Sequence, residues 1–181
     1  FKLSAGEKML LAGINGSGKT TIVKLLLRMY DPTEGVILYN GIPAKEYDLH
    51  SLRACFGVSF QTTELYARSF RKNVEISKME SGMESRDIYE SALEMSGADK
   101  VRSKLQNFDD TELTRSFDEK GYEPSGGERQ RIGLARAYYR EACFVILDEP
   151  SSAQDAIAED HILSAFLRAY SGKSAILISH R

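Results

Sequence analysis

Eight residues near the start of the chain have types and spacing that suit phosphate chemistry. Gly13–Thr20 reads Gly-Ile-Asn-Gly-Ser-Gly-Lys-Thr and matches the pattern G-x-x-x-x-G-K-[ST]. Glycines carry no Cβ, so backbone N–H groups can converge on phosphate oxygens. Lys19 can reach the β- and γ-phosphates, and the Thr20 hydroxyl can ligate Mg²⁺. The run therefore predicts a nucleoside triphosphate site, against the alternative of a glycine-rich turn between two core elements.

The segments on both sides of this loop have the character that the motif requires. Lys8–Ala12 reads as a short buried strand. After the loop, apolar residues recur at helical spacing at Ile22, Val23, Leu25, Leu26 and Met29. We expect the helix to reach Met29 or Tyr30, where Asp31-Pro32 ends it. The positive end of this helix would point at the same anion.

A second set of candidate residues follows an apolar run late in the chain. Cys143–Leu147 predicts a buried strand, and Asp148 and Glu149 come directly after it. A parallel strand that ends in acids places them at the carboxyl edge of the sheet, where such folds bind ligands. Asp148 there can hold Mg²⁺, and Glu149 can accept a proton from attacking water, an effect of roughly 10²- to 10⁴-fold in rate. The alternative is a solvated acidic turn after a strand.

A third set, Ser125-Gly126-Gly127-Glu128, precedes a helix that we expect over Arg129–Arg140. Helix chemistry predicts a capping box, with Ser125 as N-cap and Glu128 reaching back to it. Capping requires neither glycine, and glycine costs about 1 kcal/mol relative to alanine inside a helix. The glycines therefore indicate close approach of a ligand to the backbone, and an anion at this second helix N-terminus is the physical interpretation.

The remaining elements predict an α/β protein built on a parallel sheet. Further strands are expected at Val36–Tyr39, which the tight turn Asn40-Gly41 follows, at Ala54–Phe60 and at Ala175–Ser179. Asp48 is the expected N-cap of a short helix that ends near Arg53, and Ala158–Tyr170 predicts an amphipathic helix that Gly172 ends. Residues 62–122 show helical patterns without a strong strand, which indicates a mainly α-helical insertion. Strands that alternate with helices imply a parallel sheet covered on both faces.

Composition excludes several classes of protein. The 181 residues are 42% hydrophobic and 28% charged, as in an ordinary soluble globular domain. A net charge of −2 gives no electrostatic case for nucleic acid, and the longest apolar run, Ala142–Leu147, is too short to span a membrane. We expect Cys55 and Cys143 to be small core residues in a reducing compartment. The chain begins and ends as though cut from a longer protein.

Together these motifs resemble those of an ABC-type ATPase domain, over nearly the whole chain. The residues that carry the resemblance are Gly13–Thr20, Gln61, Pro124–Glu128, Arg129-Gln130-Arg131, Ala135-Arg136-Ala137, Asp148-Glu149 and His180. The phosphate loop alone would fit many nucleotide hydrolases. Pro124–Glu128, which we call the signature segment, is the most specific part.

The resemblance implies that two such domains pair head to tail, with each ATP between one phosphate loop and the partner's signature segment. The ATP-binding residues would be Gly13, Asn15, Gly16, Ser17, Gly18, Lys19, Thr20 and Thr21 of one domain, with Ser125, Gly126, Gly127 and Glu128 of the other. The implied catalytic residues are Glu149 as general base, with Lys19, Gln61 and His180. The implied Mg²⁺ ligands are Thr20, Gln61 and Asp148.

The resemblance also implies a RecA-like P-loop fold. The catalytic core would comprise residues 1–61 and 141–181, the helical subdomain residues 62–140, and an N-terminal β part would lie outside the chain. A transmembrane domain is the second expected partner, docked on the segment after Gln61 and driven by closure and opening of the dimer. Export is the expected direction, because Glu119, Gly121 and Asp48–Arg53 resemble exporter segments. The domain would then lie at the cytoplasmic face of the cell membrane.

Two segments depart from the family's usual pattern. The signature segment has Pro124 and Glu128 where the family usually has leucine and glutamine. In Ser152–Asp155, which resembles a loop at the dimer interface, Gln154 stands where leucine is common. Glu128 adds a negative charge near a triphosphate, so we expect Glu128→Gln to tighten ATP-dependent dimerisation. The aromatic residue that stacks on adenine in the family is expected upstream of this chain.

Three other functions fit part of the pattern. A soluble ABC ATPase outside transport would share every motif, and only a multi-span apolar segment elsewhere in the protein would distinguish a transporter. A nucleotide-gated module would bind ATP with little hydrolysis; Glu149 argues against it, whereas Glu128 and Gln154 favour it. A P-loop kinase would leave the signature segment unexplained.

Overall fold

Strands and helices alternate along the chain in this computed structural model, which describes residues 1–14, 16–78, 85–150, 164, 166 and 172–179. The strands are β1 Lys8–Ala12, β2 Leu38–Tyr39, β3 Ile42–Pro43, β4 Phe56–Ser59, β5 Phe144–Asp148 and β6 Ser174–Ser179. The α-helices are α1 Lys19–Leu26, α2 Leu49–Ala54, α3 Phe70–Glu75, α4 Arg86–Ser96, α5 Asp99–Arg102 and α6 Gly126–Tyr139. Short 3₁₀ helices cover Ala44–Glu46, Ile76–Lys78 and Phe108–Asp110.

Four strands form one parallel sheet in the order β1-β6-β5-β4. The register pairs Ala12 with Ser179, Asp148 with Ile178, and Ser59 with Leu147. The carboxyl ends of all four strands therefore meet at one edge of the sheet. The prediction of an α/β fold with a parallel sheet is confirmed.

Side chains that alternate along the central strand belong to two different clusters. Val145 and Leu147 lie in a cluster with residues of α3, α4 and α6, whereas Ile146 lies in a second cluster with residues of α1 and α2. Because successive side chains of a strand point to opposite faces, this division shows that the sheet is covered on both sides. All three side chains are fully buried.

Helices dominate the segment between β4 and β5, as the sequence predicts. Its longest helix, α6, packs on α4 and also on β4. Leu93 of α4, Ile132 of α6 and Val145 of β5 share one buried cluster, so the inserted helices and the sheet share one core in the described residues. The division at 62–140 into a separate subdomain stays a prediction.

Two local predictions, the N-cap Asp48 and the turn Asn40-Gly41, are confirmed. The Asp48 side chain accepts a bond of 2.8 Å from the backbone N–H of Ser51, which makes it the N-cap of α2. Asn40 and Gly41 both adopt positive φ, at 51° and 81°, and connect β2 to β3 as a tight antiparallel turn.

The bounds of several elements differ from the predicted ones. Helix α1 ends at Leu26 rather than Met29, because Arg28 turns to a φ of 49° and Arg53 donates to the carbonyls of Leu27 and Arg28, each at 2.9 Å. The first turn of α6 begins at Gly126, so both signature glycines are helical. The strand predicted at Val36 begins at Leu38.

The cysteines were expected in the core, and that expectation is wrong. Cys55 and Cys143 are both exposed free thiols. They lie one residue before β4 and β5, at the amino edge of the sheet, where the strands leave the core. The helix predicted at Ala158–Tyr170 lies outside the described residues, apart from Ser164 and Phe166, which are helical.

Substitution Gly57→Ala tests the close packing of α6 on β4. A Cβ at Gly57 would lie 2.6 Å from the carbonyl oxygen of Ala137, and backbone cannot easily give way. Overpacking of this kind costs about 1–3 kcal/mol, so we expect the free energy of unfolding to fall by that amount in denaturant titrations. Gly126→Ala is the matched control, because no atom lies within 4 Å of its Cβ position. Equal stability of the two variants would contradict the packing.

Candidate active site

The side chain of Lys19 folds back over the backbone of the loop that follows β1. The Lys19 ammonium donates to the carbonyl oxygens of Gly13 at 2.6 Å and Ile14 at 3.0 Å. Gly16 and Gly18 adopt positive φ, at 81° and 90°, and Gly18 is the N-cap of α1. The positive end of α1 and the lysine charge therefore meet at one loop, an arrangement that suits a phosphate group. Asn15 lies outside the described residues.

A threonine and an aspartate from distant parts of the chain meet beside this loop. The Thr20 hydroxyl donates to Asp148 Oδ2 at 2.9 Å, across 128 residues of sequence. Asp148 is only 2% exposed, and burial raises the pKa of its carboxyl; the nearby Glu149 acts in the same direction, while Thr20 and Lys19 oppose it. A cation at this carboxylate would offset the cost of burying its charge.

The donor set fits a magnesium ion. A hydroxyl and a carboxylate are the hard oxygen ligands that Mg²⁺ prefers, usually with phosphate oxygens and water in the other positions. Among the described residues, no group of three or more histidines, cysteines or acids gathers as a separate metal site. Thr20 and Asp148 are thus the described residues that could hold Mg²⁺, and Gln61 as a ligand remains a prediction.

Glu149 directly follows β5, and contacts with other described residues hold it. The Gln61 amide Nε2 donates to its Oε2 at 2.7 Å. Its backbone N–H donates to Ile178 O at 3.0 Å, and its backbone carbonyl accepts from Gln130 Nε2 at 2.7 Å. The φ of Glu149 is 50°, which is rare for a residue with a Cβ and persists only where surrounding contacts enforce it.

Gln130 is a site residue whose role the sequence reading missed. It lies in the second turn of α6, is 3% exposed, and reaches the backbone of the predicted general base. A long polar residue on the buried face of a helix is the sequence signal that could have identified it, because buried amides need partners. Helix α6 also contacts the segment after Gln61, since a Cβ at Gly133 would lie 2.3 Å from Thr63 Oγ1.

The capping box at the start of α6 is confirmed. Ser125 Oγ accepts from the Glu128 backbone N–H at 3.4 Å, and Glu128 Oε2 accepts from the Ser125 N–H at 2.9 Å. Two further groups donate to the Glu128 carboxylate: the Lys104 ammonium at 2.8 Å and the Tyr122 hydroxyl at 3.0 Å. Burial alone would raise the pKa of Glu128, but the donors outweigh it and lower the pKa to about 2. The negative charge expected at the signature segment is therefore paired within the same domain.

The structure brings together part of the predicted site. The phosphate loop, Thr20 with Asp148, and Gln61 with Glu149 lie at the carboxyl edge of the sheet. Thr21 is exposed on α1, and Ser125 and Gly126 are exposed at the start of α6. His180 and the loop with Gln154 lie outside the described residues.

A comparison with protein families agrees with this arrangement. The model of the family described as ABC transporter matches residues 1–152, which include the phosphate loop, the signature segment and both acids. The chain belongs to the ABC transporter family. It is an ATP-binding domain homologous to those of ABC exporters.

Similar proteins come from several bacteria. The chain is 38% identical over 181 residues to the ATP-dependent lipid A-core flippase of Burkholderia orbicola (strain AU 1054), and 41% identical over 179 residues to the subtilin transport ATP-binding protein SpaT of Bacillus subtilis. These alignments cover 100% and 99% of this chain but only 29% of each relative. The chain thus spans under a third of the length of these relatives.

A solved structure supports the same fold. A bacterial Atm1-family ABC exporter with ATP bound superposes with a TM-score of 0.88 at 32% identity, over 100% of this chain and 30% of that one. In the part of the ABC domain that the structure describes, no helix has both the length and the apolar character needed to cross a membrane.

Titration of Glu128 tests the pairing at the signature segment. We expect carbon-13 NMR of the carboxyl to give a pKa of about 2, and Lys104→Met to raise that pKa, because the strongest neighbouring donor is lost. A carboxyl whose pKa is lowered by folding stabilises the fold above its unfolded value of 4.5. Stability should therefore fall as pH drops from 4.5 towards 2. An unchanged pKa in Lys104→Met would show that Lys104 does not hold Glu128.

Proposed function

We propose that this chain binds Mg²⁺-ATP and hydrolyses it to power an exporter. One observation carries the proposal: two pairs, Thr20 with Asp148 at 2.9 Å and Gln61 with Glu149 at 2.7 Å, meet at the end of β5. The first pair suits a metal ion at the phosphates, and the second suits a general base with an amide beside it. A protein that only bound nucleotide would need the first pair alone.

The phosphate loop supplies the binding half of the reaction. Lys19 and the loop amides would bind the β- and γ-phosphates, in place of the carbonyl contacts that Lys19 now makes. Thr20 and Asp148 would hold Mg²⁺, which when bound neutralises charge that develops on the phosphate oxygens. The solved structure of the Atm1-family exporter has ATP bound, which supports ATP as the nucleotide of this chain.

Glu149 supplies the proton transfer. Its carboxylate would accept the proton of water that attacks the γ-phosphate in line, and Gln61 would orient that water and the carboxylate. The fixed backbone of Glu149 serves this role, because contacts from Ile178 and Gln130 leave little freedom at the residue. His180 stays a prediction for a contact with the γ-phosphate.

The signature segment is proposed to act on the nucleotide of a second ABC domain. Ser125 and Gly126 are exposed at the start of α6, where the helix presents N–H groups and its positive end. Head-to-tail pairing would place this helix end against the γ-phosphate bound by the partner domain. Closure on ATP and opening after hydrolysis would then be the mechanical step.

Transport is proposed from the relatives. Their names describe a flippase, a subtilin transport protein and, in Bartonella bacilliformis, a β-(1→2)glucan export ATP-binding/permease protein that is 35% identical. A transmembrane partner would dock on the segment after Gln61, and the domain would lie at the cytoplasmic face of the membrane. Thr63 in that segment packs on Gly133 of α6, whose Gln130 contacts Glu149. Docking could thus influence the base through packed groups.

Substitution Glu149→Gln tests the catalytic assignment. In the complete protein in lipid, we expect steady-state ATP hydrolysis to fall by about 10²- to 10⁴-fold, because glutamine cannot accept the proton. Binding of ATP, measured with a fluorescent analogue, should persist. Glu46→Gln, at an exposed glutamate in the short helix Ala44–Glu46, is the matched control and should retain activity. Negligible hydrolysis in the unsubstituted protein would favour the nucleotide-gated module.

A double-substitution cycle tests the charge at the signature segment. Glu128→Gln leaves the positive charge of Lys104 unpaired. Because that charge attracts the triphosphate bound by the partner domain, the dimer should close at a lower ATP concentration. Lys104→Gln leaves the Glu128 charge unpaired, so a higher ATP concentration should be needed. We expect each shift to be about two- to five-fold, since the Lys104 side chain is 61% exposed, and the double variant to return to the original value.

The measurement is energy transfer between labels on the two domains during ATP titration, in a Glu149→Gln background that prevents hydrolysis. Shifts in the same direction in the two single variants, or a double variant that does not return to the original value, would show that the charges do not compensate each other. Equal dimer closure in all variants would place Glu128 away from the nucleotide.

A further inference from the structure

Two exposed cysteines lie side by side at the edge of the sheet opposite the active site. The Cys143 thiol donates to the Cys55 carbonyl oxygen at 3.4 Å, and the Cys55 thiol donates to Ser51 O at 3.5 Å. The residues are 88 positions apart in sequence, so only the fold brings them together.

The strand register places the two cysteines on neighbouring strands at a backbone separation that suits a disulfide. Phe56 pairs with Phe144, and the Phe144 N–H donates to Cys55 O at 3.1 Å, so the parallel ladder extends to the cysteines. Neighbouring strands lie about 4.8 Å apart, inside the range of roughly 4.4–6.8 Å between Cα atoms that a disulfide spans. The rings of Phe56 and Phe144 contact each other on one face, so the preceding side chains share the opposite face.

We propose that Cys55 and Cys143 form a reversible dithiol site that a small disulfide, such as oxidised glutathione, converts to an intramolecular disulfide. One cysteine thiolate would attack the oxidant and release one glutathione thiol. The second cysteine would then attack the mixed disulfide and release the other. Two cysteine thiols lose two protons and two electrons, and the oxidant is reduced to two thiols.

The surroundings of the pair set its reactivity. Burial and the neighbouring Cys143 raise the pKa of the Cys55 thiol, while the positive charge of Arg140 lowers it. Little Cys55 thiolate is therefore present at neutral pH, and the first attack should quicken as pH rises. Because both thiols are exposed, the oxidant can reach them without unfolding.

The position predicts what the bond would constrain. It would join the starts of β4 and β5 and close a loop that contains α3, α4, α5 and α6. Asp148 lies five residues along β5 from Cys143, roughly 16 Å at about 3.3 Å per residue. The bond would therefore leave ATP binding intact and hold the start of β4 against the start of β5.

Peptide mapping of the complete protein tests the proposal. The protein is incubated with oxidised glutathione, its remaining thiols are blocked, and it is digested with trypsin without reduction. We expect a linked pair of peptides, residues 54–68 with residues 141–168, that separates on reduction. In Cys143→Ser, the same treatment should give only a glutathione adduct on the peptide 54–68.

A second probe needs no oxidant. An aryl arsenoxide binds neighbouring dithiols as a ring, so we expect one arsenic per domain in the reduced protein and loss of that binding in Cys55→Ser and Cys143→Ser. Glutathione adducts on each cysteine without the linked peptides, a link between two molecules, or no reaction would each overturn the proposal. Retained ATP binding after oxidation would support the predicted distance from the active site, and its loss would contradict that part.

Discussion

Parallel pairing in register is the constraint on which the candidate site depends. Because β1, β6, β5 and β4 all run in one direction, their carboxyl ends deliver the phosphate loop, Asp148, Glu149 and Gln61 to one edge. A slip of one residue in β5 would turn Asp148 to the opposite face and break its contact with Thr20. The buried alternation of Val145, Ile146 and Leu147 between two cores opposes such a slip.

Helix α6 connects features that would otherwise be separate. Its first residues belong to the signature segment, and Gln130 in its second turn donates to the Glu149 carbonyl. Further along the helix, Gly133 packs on Thr63 and Ala137 packs on Gly57. The helix is 14 residues long, about 21 Å at 1.5 Å per residue. A force applied at its exposed end therefore acts on the backbone of Glu149, the predicted general base, through one helix.

The sequence predicts the parts of the site that are local. Phosphate loop, acidic pair and capping box each lie within one short segment, so spacing alone identifies them. Gln130 with Glu149 and Lys104 with Glu128 are missed, because side-chain pairs between distant segments have no sequence period. The prediction that the cysteines are buried fails for a related reason. Their apolar neighbours in sequence indicate burial, but each cysteine lies one residue before the start of its strand, where the thiol is exposed.

Glu128 shows how a departure from a family pattern can be compensated locally. Glutamine would form the same capping contact without charge, whereas glutamate forms a stronger, charge-assisted one. The Lys104 charge, 2.8 Å away, offsets the negative field that the carboxylate alone would direct at a triphosphate. Tyr122 and Ser125 fix the carboxylate in the cap, away from rotamers that project outward. With glutamate at position 128, Lys104 and Tyr122 also hold the side chain that caps α6. The support of the signature segment therefore extends to residues outside it.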